Sequence, residues 1–333
     1  MKRKLLALLS TAALSLSLLA GCGSASGSGS ASGGKSGKAT KTYQVGIIQL
    51  TQHPALDAAT KGFKKALEDK LGSKVKFDEQ NASGDSATCT TIANSFVSSG
   101  KDLIMANATA ALTAASQATA DIPIVGTSVT DYGSALDIKD WTGKSGSNVS
   151  GTTDLAPLDE QAKMIQELFP DKKKVGILYC NAEANSKYQV TNITKYLKEE
   201  GYTVTEYAFS DSNDVANVTK KACGDSEVLY IPTDNTAASC AENINNVAEP
   251  AGIPIVTGEE GICKGCGVAT LSLSYYDLGY QTGEMAYDIL VNGKKPGEMQ
   301  VQTAKKFTKE YMKDRAEKLG VKIPDDYSEI KSE

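Results

Sequence analysis

The sequence predicts an α/β protein of two lobes, each built around a parallel central sheet. Two observations support this fold class. Strand and helix patterns alternate along the chain, and short apolar segments recur at a nearly constant spacing. Val45–Ile48 (VGII) is similar to Val175–Leu178 (VGIL), and Ile122–Val125 (IPIV) returns as Ile253–Val256, at offsets of 130 and 131 residues. Matched segments in the same order indicate two related halves.

The first half alternates strand and helix patterns after residue 42. In the first helix pattern, apolar residues such as Leu56, Phe63 and Leu67 recur close to the helical period. We predict strands over 43–50, 74–80, 102–107 and 122–126, with helices over 53–71, 86–99 and 110–120. Strands separated by helices of this length form βαβ units and parallel sheets.

The second half repeats this alternation. We predict strands over 173–180, 203–209, 227–232 and 253–258, with helices over 186–200, 215–222 and 237–250. A further helix over 276–290 is expected to return to the first lobe, and residues 305–323 are expected to close the second. Right-handed crossovers place helices on both faces of each sheet.

The N-terminal segment has the pattern of an export signal. Lys2, Arg3 and Lys4 precede an apolar run that is short for a membrane span, and the run ends in the sequence LAGC at Cys22. We interpret 1–21 as a lipoprotein signal peptide and Cys22 as the lipidated residue. The alternative is a plain signal peptide with a chance cysteine. Residues 22–42, rich in Gly and Ser, form a flexible linker after Cys22.

Polar residues follow the predicted strands, at the sheet edge where open parallel sheets bind ligands. If the strand ends of two lobes face each other, these residues line one cleft from both sides. We therefore expect a ligand to contact Gln49, His53, Asn107, Ala108, Thr109, Ser128, Asp131, Asn185, Tyr188, Asp234, Asn235 and Glu259.

The residue types in this set suggest a ligand with two opposite charges. Asn107–Thr109 opens a helix, where free N–H groups and a hydroxyl favour an anion, and Ser128 adds a donor. Asp234 and Glu259 are acceptors suited to an ammonium group. The pattern predicts binding of an amino-acid zwitterion. The alternative is helix capping, because Asn, Asp, Ser and Thr are common N-caps.

The aromatic and imidazole candidates have alternatives as well. His53, the only histidine, opens the first helix with Pro54, so a capping or surface role stands beside a ligand hydrogen bond. Tyr132 and Tyr188 are candidates to stack on an aromatic ligand, although tyrosines also pack in cores.

The sequence has no pattern for catalysis or metal binding, and its one Walker A match, GSASGGKS at 29–36, lies in the Gly/Ser linker, where we predict no preceding strand and no following helix to form a phosphate site. It contains no G-x-S-x-G or G-x-G-x-x-G motif, and one histidine cannot supply an H-E-x-x-H site. We expect no catalytic residue, no metal and no cofactor. The formal net charge is −5, and no basic block indicates a nucleic-acid partner.

Six cysteines remain when Cys22 is reserved for lipid. Outside the cytoplasm such a set either forms disulfides or stays as free thiols, and the sequence does not assign pairs among Cys89, Cys180, Cys223, Cys240, Cys263 and Cys266. A Cys89–Cys180 bridge is not expected, because it would tie the lobes together. Cys263 and Cys266 form a C-x-x-C in what we predict to be a glycine-rich loop.

Several motifs together resemble one family. The lipobox is accompanied by HPALD (53–57), ANAT (106–109), TSVTD (127–131), NSKYQ (185–189), PTDN (232–235) and YYDLGYQTG (275–283). This constellation resembles the ABC-transporter substrate-binding lipoproteins that include the tryptophan/tyrosine-type binding proteins. The resemblance implies a type I periplasmic-binding-protein fold, two Rossmann-like lobes and three hinge crossings, near 150–155, 268–274 and 297–304. The chain departs from the family pattern at Ala110, Tyr132 and Ser274.

The resemblance also implies function and partners. We expect a lipid-anchored solute-binding protein of an ABC importer, at the extracytoplasmic face of a bacterial membrane, working with a permease and an ATPase. The ligand would be an amino acid, and aromatic ones are typical of the family. The alternative is a tethered ligand sensor of the same fold. We expect a monomer, with 43–152 and 272–300 forming lobe 1 and 153–271 and 301–333 forming lobe 2.

Overall fold

The computed structural model describes residues 41–331. The predicted signal peptide, Cys22 and nearly all of the predicted linker lie outside these residues. No helix among the described residues has the length and apolar character needed to cross a membrane.

The described chain alternates strands and helices along almost its whole length. In chain order the strands are β1 (Tyr43–Gln49), β2 (Val75–Asn81), β3 (Leu103–Asn107), β4 (Ile124–Val129), β5 (Val149–Thr153), β6 (Lys174–Cys180), β7 (Thr203–Phe209), β8 (Val228–Ile231), β9 (Ile255–Thr257), β10 (Ala269–Ser272), β11 (Gln302–Thr303), β12 (Thr308–Tyr311) and β13 (Ser328–Glu329). The helices are α1 (Pro54–Leu71), α2 (Ser86–Ser98), α3 (Thr109–Ala118), α4 (Tyr132–Ala135), α5 (Leu158–Leu168), α6 (Ala184–Glu199), α7 (Val215–Asp225), α8 (Asn235–Ser239), α9 (Ala241–Ala251), α10 (Glu260–Cys266), α11 (Tyr275–Leu290) and α12 (Lys313–Leu319).

Two sheets with the same internal order form the centres of the two lobes. The first sheet has the order β2-β1-β3-β4-β5-β11, and all its strand pairs are parallel. The second has the order β7-β6-β8-β9-β10-β12-β13, with one antiparallel pair, β10–β12. The two IPIV segments lead into β4 and β9, which occupy equivalent places. The predicted α/β fold with two related parallel sheets is therefore confirmed.

Helices cover both faces of the sheets, so the inner strands are buried on both sides. Every residue of β3, β4 and β8 is buried. In the first lobe, α1 packs directly on α11, and backbone atoms of the two helices are in close contact. A Cβ on Gly279 would lie 1.9 Å from the Ala59 carbonyl oxygen, and one on Gly62 would lie 2.0 Å from that of Tyr276. Only glycine permits so close an approach.

The chain passes between the sheets three times, after β5, after β10 and after β11. The third crossing, after Thr303, falls within the predicted range 297–304, but the lobe boundary predicted after residue 300 comes too early, because β11 pairs with β5 in the first sheet. The Gln281 side chain of α11 also donates to Gln302 and to the Thr303 carbonyl oxygen. The segment 302–303 therefore belongs to the first lobe, whereas the sequence placed all of 301–333 in the second.

Helices in the second lobe depart from the sequence prediction in two places. The helix predicted over 237–250 is two helices, α8 and α9, which meet at Cys240 in a non-helical conformation. The C-x-x-C segment is the helix α10 and not a loop. Glu259 caps its first turn, and the Arg315 guanidinium donates to the Cys263, Lys264, Gly265 and Gly267 carbonyl oxygens at its end.

Candidate functional site

A small cavity lies between the lobes at the carboxyl ends of both sheets. The first lobe contributes His53 and Ser128 to its wall, and the two hinge residues Asp154 and Tyr275 close one side. The second lobe contributes Asn185, Asp234, Asn235 and Glu259. We call this the small inter-lobe cavity. Its volume is about 20 Å³, which is room for a water molecule rather than an organic ligand.

Unpartnered polar atoms concentrate at this edge of the first lobe. Five buried side-chain polar atoms of the described residues lack a hydrogen-bond partner. Four of them belong to predicted site residues: His53 Nδ1, Asn107 Oδ1, Thr109 Oγ1 and Ser128 Oγ. Buried polar groups are nearly always paired in folded proteins, so this concentration indicates a place where a polar ligand binds.

His53 joins the two lobes. Its Nε2 lies 3.2 Å from the Asn235 Oδ1 atom, and the Asn235 amide nitrogen donates to Glu183. Because Asn235 presents its oxygen to the ring, Nε2 bears the proton and Nδ1 is left as an acceptor. Burial lowers the pKa of His53, and its hydrogen bond to Asn235 opposes that effect. The imidazole is therefore neutral and offers a lone pair to a donor.

The start of α3 has free donors and a strained backbone. Ala108 precedes the helix with φ 88°, and no side chain caps the first turn. Ser128, at the end of the neighbouring strand, has φ 55°. Positive φ is costly for residues other than glycine and clusters at ligand-binding sites. The helix N–H groups, the Thr109 hydroxyl and the Ser128 hydroxyl are thus available to an anion.

Three buried carboxyl groups line the small inter-lobe cavity together with Ser128, whereas Thr109 is not among its lining residues. Burial raises the pKa of Asp154 to about 6, that of Glu259 to about 7 and that of Asp234 to about 8. Glu183 adds negative charge near Asp234, and Asp154 adds it near Glu259. Hydrogen-bond donors oppose these shifts, and no cationic side chain is among the groups that do so. A cation in the cavity would be stabilised.

Two of the carboxylates also cap helices, as the alternative interpretation proposed. Asp234 accepts hydrogen bonds from the Ala237 and Cys180 N–H groups and from the Ser186 hydroxyl. Glu259 accepts from the Gly261 and Ile262 N–H groups. Asp154 caps no helix and accepts from Tyr275 Oη, at 2.9 Å, and from Thr130 Oγ1, at 3.5 Å. Asp154 and Glu259 thus each accept two of these bonds and Asp234 accepts three, which leaves Asp154 with free acceptor capacity.

Several predicted site residues do not line the small inter-lobe cavity. Gln49 bonds to Thr51, Asp57 and Thr60 within the first lobe. The Asn107 amide donates to Leu56 and Thr60, and Asp131 caps α4. These side chains therefore stabilise structure within the first lobe. A polar residue at the end of a strand lies close to the start of the following helix, so it can bond there instead of to a ligand.

Both tyrosine candidates also lie elsewhere. Tyr132 is buried in the first lobe, stacks on Trp141 at 6.1 Å between ring centroids and donates to the Thr152 carbonyl oxygen. Tyr188 is half-buried on α6 and lines no inter-lobe cavity described here. Neither ring is placed to stack on a ligand in this arrangement of the lobes.

The sequence prediction missed six residues that line the small inter-lobe cavity, namely Leu56, Thr130, Asp154, Thr233, Ala238 and Tyr275, of which Asp154 and Tyr275 lie at the hinge. Asp154 follows β5, so the rule that selected other strand ends would have found it had the fifth strand been recognised. Tyr275 begins the YYDLGYQTG segment, where the sequence alone gives it no distinguishing feature. Their hydrogen bond joins the first and second crossings directly beside the cavity.

A larger cavity opens on the same inter-lobe surface, with a volume of about 540 Å³. We call it the large inter-lobe cavity. Leu50, Thr109 and Ala110 line it from the first lobe, and Glu183, Ser239 and Cys240 line it from the second. Asn185 and Asn235 border both inter-lobe cavities, so the two spaces are neighbours.

The six cysteines of the described residues are buried and unbridged. Burial raises the pKa of Cys89 to about 11 and that of Cys266 to about 12, which keeps both thiols protonated. No group of His, Cys, Asp and Glu side chains within residues 41–331 is arranged to hold a metal ion.

Two similar α/β lobes, three crossings and a polar inter-lobe site define a two-lobed solute-binding protein. The chain belongs to the family of ABC transporter substrate-binding proteins, because the sequence model of that family matches residues 44–332. The expected family and the type I periplasmic-binding-protein fold are confirmed, and the family is one of binding proteins rather than enzymes. Substrate-binding proteins of ABC transporters work outside the cytoplasm.

Characterised relatives agree with this assignment. The chain is 40% identical over 304 residues to a tyrosine-binding protein of Clostridioides difficile, covering 90% of this chain and 88% of the relative. A Streptococcus pneumoniae domain solved with L-Trp has 30% identity and a TM-score of 0.82, covering 86% and 97% of the two chains. A ligand-free, open C. difficile substrate-binding protein with adhesive properties has 37% identity and a TM-score of 0.67, covering 88% and 100%.

Proposed function

We propose that this chain is the lipid-anchored receptor of an ABC importer and binds an aromatic amino acid by closing its lobes around it. One observation supports this most directly. The unpartnered Ser128 hydroxyl of the first lobe lines the same cavity as buried carboxyl groups of the second lobe and the hinge, and the unpartnered Thr109 hydroxyl lines the neighbouring cavity. Such an arrangement is complementary to a zwitterion.

The carboxylate of the ligand would bind the first lobe. The N-terminus of α3 offers N–H groups without a capping side chain, and Thr109 and Ser128 add two buried hydroxyls that have no partner. A helix N-terminus with such donors stabilises a negative charge. The positive φ values of Ala108 and Ser128 turn the chain tightly at these two points.

The ammonium group of the ligand would bind the carboxyl groups of the hinge and the second lobe, next to His53 of the first lobe. Asp154 has free acceptor capacity, and the His53 Nδ1 lone pair lacks a donor. Glu259 and Asp234 contribute negative charge from positions fixed by their helix caps. Burial raises the pKa values of Asp154 and Glu259, and the charges of Glu260 and Asp154 add to the effect at Glu259, so an ammonium ion beside them would favour their ionised forms.

The relatives support an aromatic side chain. The C. difficile relative is a tyrosine-binding protein, and the S. pneumoniae structure contains L-Trp. The chain is closer in sequence to the open, ligand-free relative, yet closer in structure to the Trp complex. A different angle between the two lobes lowers the TM-score of the whole chain, even where each lobe alone is similar. The small inter-lobe cavity, with a volume of about 20 Å³, is consistent with a closed arrangement of the lobes at that point.

A ligand screen tests the proposal. Thermal unfolding of the purified chain is followed with each α-amino acid, and with sugars and nucleosides as comparison classes. L-Tyr, L-Trp or L-Phe should raise the Tm, because a ligand that binds only the native state stabilises it. Isothermal titration then gives the Kd. A response to a sugar or nucleoside, with none to any α-amino acid, would refute the ligand class and leave the fold intact.

Anchoring and transport require tests in cells. Cells that express the chain are labelled with a palmitate analogue, and a Cys22→Ser variant serves as the control. The palmitate analogue should label the wild type and not the variant, and the variant should be missing from the membrane fraction. Uptake of labelled tyrosine or tryptophan should fall when the gene is deleted. Unchanged uptake with retained ligand binding would instead favour the tethered sensor.

A further inference from the structure

We propose that Glu183 is a positioning residue, which orients the Asn235 amide and thereby places the proton of His53 on Nε2 and leaves Nδ1 as an acceptor for the ligand. Its effect on affinity rests on the proposed function, whereas the state of the His53 ring can be measured without ligand. Glu183 does not line the small inter-lobe cavity, so it would act on that cavity through two other residues.

The Glu183 side chain bonds to a neighbouring helix and not to its own. Glu183 directly precedes α6, yet its side chain makes no cap bond to that helix. The carboxylate reaches the start of α8. Its Oε1 atom accepts from the Thr236 N–H and hydroxyl, each at 2.8 Å. Its Oε2 atom accepts from the Asn235 N–H at 3.0 Å, the Asn235 side-chain amide at 2.6 Å and the Asn185 amide at 2.9 Å. These bonds fix the carboxylate in one orientation.

This carboxylate determines which way the Asn235 amide points. An ionised carboxylate only accepts hydrogen bonds, so the group that faces it at 2.6 Å is the amide nitrogen. Turning the amide over would bring two oxygen atoms together at that distance. The bond from the Asn235 N–H to the same carboxylate keeps the backbone in place. Asn235 Oδ1 is therefore directed to the first lobe, where it lies 3.2 Å from His53 Nε2.

An oxygen acceptor beside Nε2 selects one tautomer of the His53 ring. Neutral imidazole carries one proton, and the nitrogen that faces an acceptor keeps it. Nδ1 then has a free lone pair, and this atom is buried without a hydrogen-bond partner. Because His53 lines the small inter-lobe cavity, the lone pair is offered to a donor on the ligand.

Glu183 also caps α8, and this role has to be separated from positioning. The N–H groups of Asn235 and Thr236 bond to Glu183, and the Ala237 N–H bonds to Asp234. Loss of a cap alone would lower the stability of the chain and leave the His53 ring unchanged. The tautomer of His53 is therefore the measurement that distinguishes the two roles.

Nuclear magnetic resonance can test the inference directly, because His53 is the only histidine of the chain. Long-range ¹H–¹⁵N correlation spectra show which ring nitrogen bears the proton. They are recorded at neutral pH, without ligand, on ¹⁵N-labelled chain that carries no histidine tag. Glu183→Ala removes every bond to the carboxylate, whereas Glu183→Gln keeps one oxygen that can accept from Asn235. Glu227→Ala is the matched control, since that carboxylate accepts from two N–H groups at the start of β6, those of Lys173 and Lys174.

We expect the wild type, Glu183→Gln and Glu227→Ala to have the proton on Nε2. The ring nitrogen signals of Glu183→Ala should move towards those of the Nδ1-protonated ring. An unchanged ring in Glu183→Ala would overturn the inference and leave Glu183 as a helix cap. A wild-type ring protonated on Nδ1 would overturn it as well, even if the alanine variant does not fold.

Isothermal titration with the best ligand from the screen then tests the effect on binding. Glu183→Ala should bind about tenfold more weakly than the wild type, and Glu183→Gln and Glu227→Ala should stay within about fivefold. Equal affinities in Glu183→Ala and the wild type would show that Nδ1 does not meet the ligand, which overturns the inference while the proposed function stands. A wild type that binds no α-amino acid would refute the proposed function, and the spectra would still decide whether Glu183 sets the tautomer.

Discussion

His53 of the first lobe and Asn235 of the second share a hydrogen bond of 3.2 Å between Nε2 and Oδ1, directly beside the proposed ligand site. A second contact, from the Gln189 amide to the Thr130 hydroxyl at 3.5 Å, also crosses the lobes. These bonds exist only while the lobes are together. They therefore contribute to the closed state, which the ligand would also favour under the proposed function.

Asn235→Ala should weaken ligand binding, because it removes the inter-lobe bond to His53 and leaves Nε2 without its acceptor. We expect a loss of roughly two- to tenfold in affinity, the effect of one ordinary hydrogen bond. Isothermal titration with the best ligand from the screen measures it. Asn192→Ala is the matched control, since the bonds of that amide lie within α6: it donates to the Tyr188 carbonyl oxygen and accepts from Lys195. Equal losses in both variants would show that the inter-lobe bond has no special role.

Asp154→Asn should separate ligand binding from stability. The variant keeps the shape but loses the charge that would pair with the ammonium group, so affinity should fall by about 10- to 100-fold. The ligand-free protein should have a higher Tm near neutral pH, because burial raises the pKa of Asp154 to about 6 and its ionised form is disfavoured. Asp140→Asn, at an exposed position, should change neither value. A variant with unchanged affinity would remove Asp154 from the site.

Stability and ligand affinity should respond to pH in opposite directions. The folded pKa values of Asp154, Glu259 and Asp234 are raised to about 6, 7 and 8. The folded state therefore binds protons more tightly than the unfolded state, and the free energy of unfolding should fall as pH rises from about 4 to 8. Ionisation of the same groups favours an ammonium ligand, so affinity should rise across about pH 6 to 8.

Two measurements check this pH dependence. The Tm is recorded without ligand over the range, and the Kd is measured at each end. The Asp154→Asn variant should show smaller slopes in both. An affinity that is independent of pH would show that these carboxyl groups do not bind the ligand's cation.

Gly279→Ala should destabilise the first lobe, because the new methyl group would lie 1.9 Å from the Ala59 carbonyl oxygen. Overpacking of this kind costs about 1–3 kcal/mol or more in the free energy of unfolding. Gly224→Ala is the control, since no atom lies within 4 Å of the new group and the site is in α7. That change should instead stabilise the chain by about 0.5–1 kcal/mol. Thermal unfolding distinguishes the two, and similar Tm values would contradict the tight packing of α1 on α11.

The sequence by itself determined the fold. The spacing of apolar residues predicts the strands and helices, and the recurrence of short apolar segments predicts two related lobes. The apolar runs Ile122–Val125 and Ile253–Val256 predicted equivalent strands, and the sheet order places β4 and β9 in the same position of their lobes. The polar residues after those strands predicted the binding edge for the same reason. His53, Ser128 and Thr109 have unpartnered atoms there, as a binding role requires.

Only the tertiary structure decided which polar residue faces the cleft. Gln49 and Asn107 follow strands as His53 and Ser128 do, yet their side chains bond within the first lobe. Asp154 and Tyr275 meet across 121 positions of sequence, at two crossings whose proximity no local pattern encodes. The direction of a side chain and the groups opposite it depend on how the two lobes pack, and that packing is a property of the folded chain as a whole.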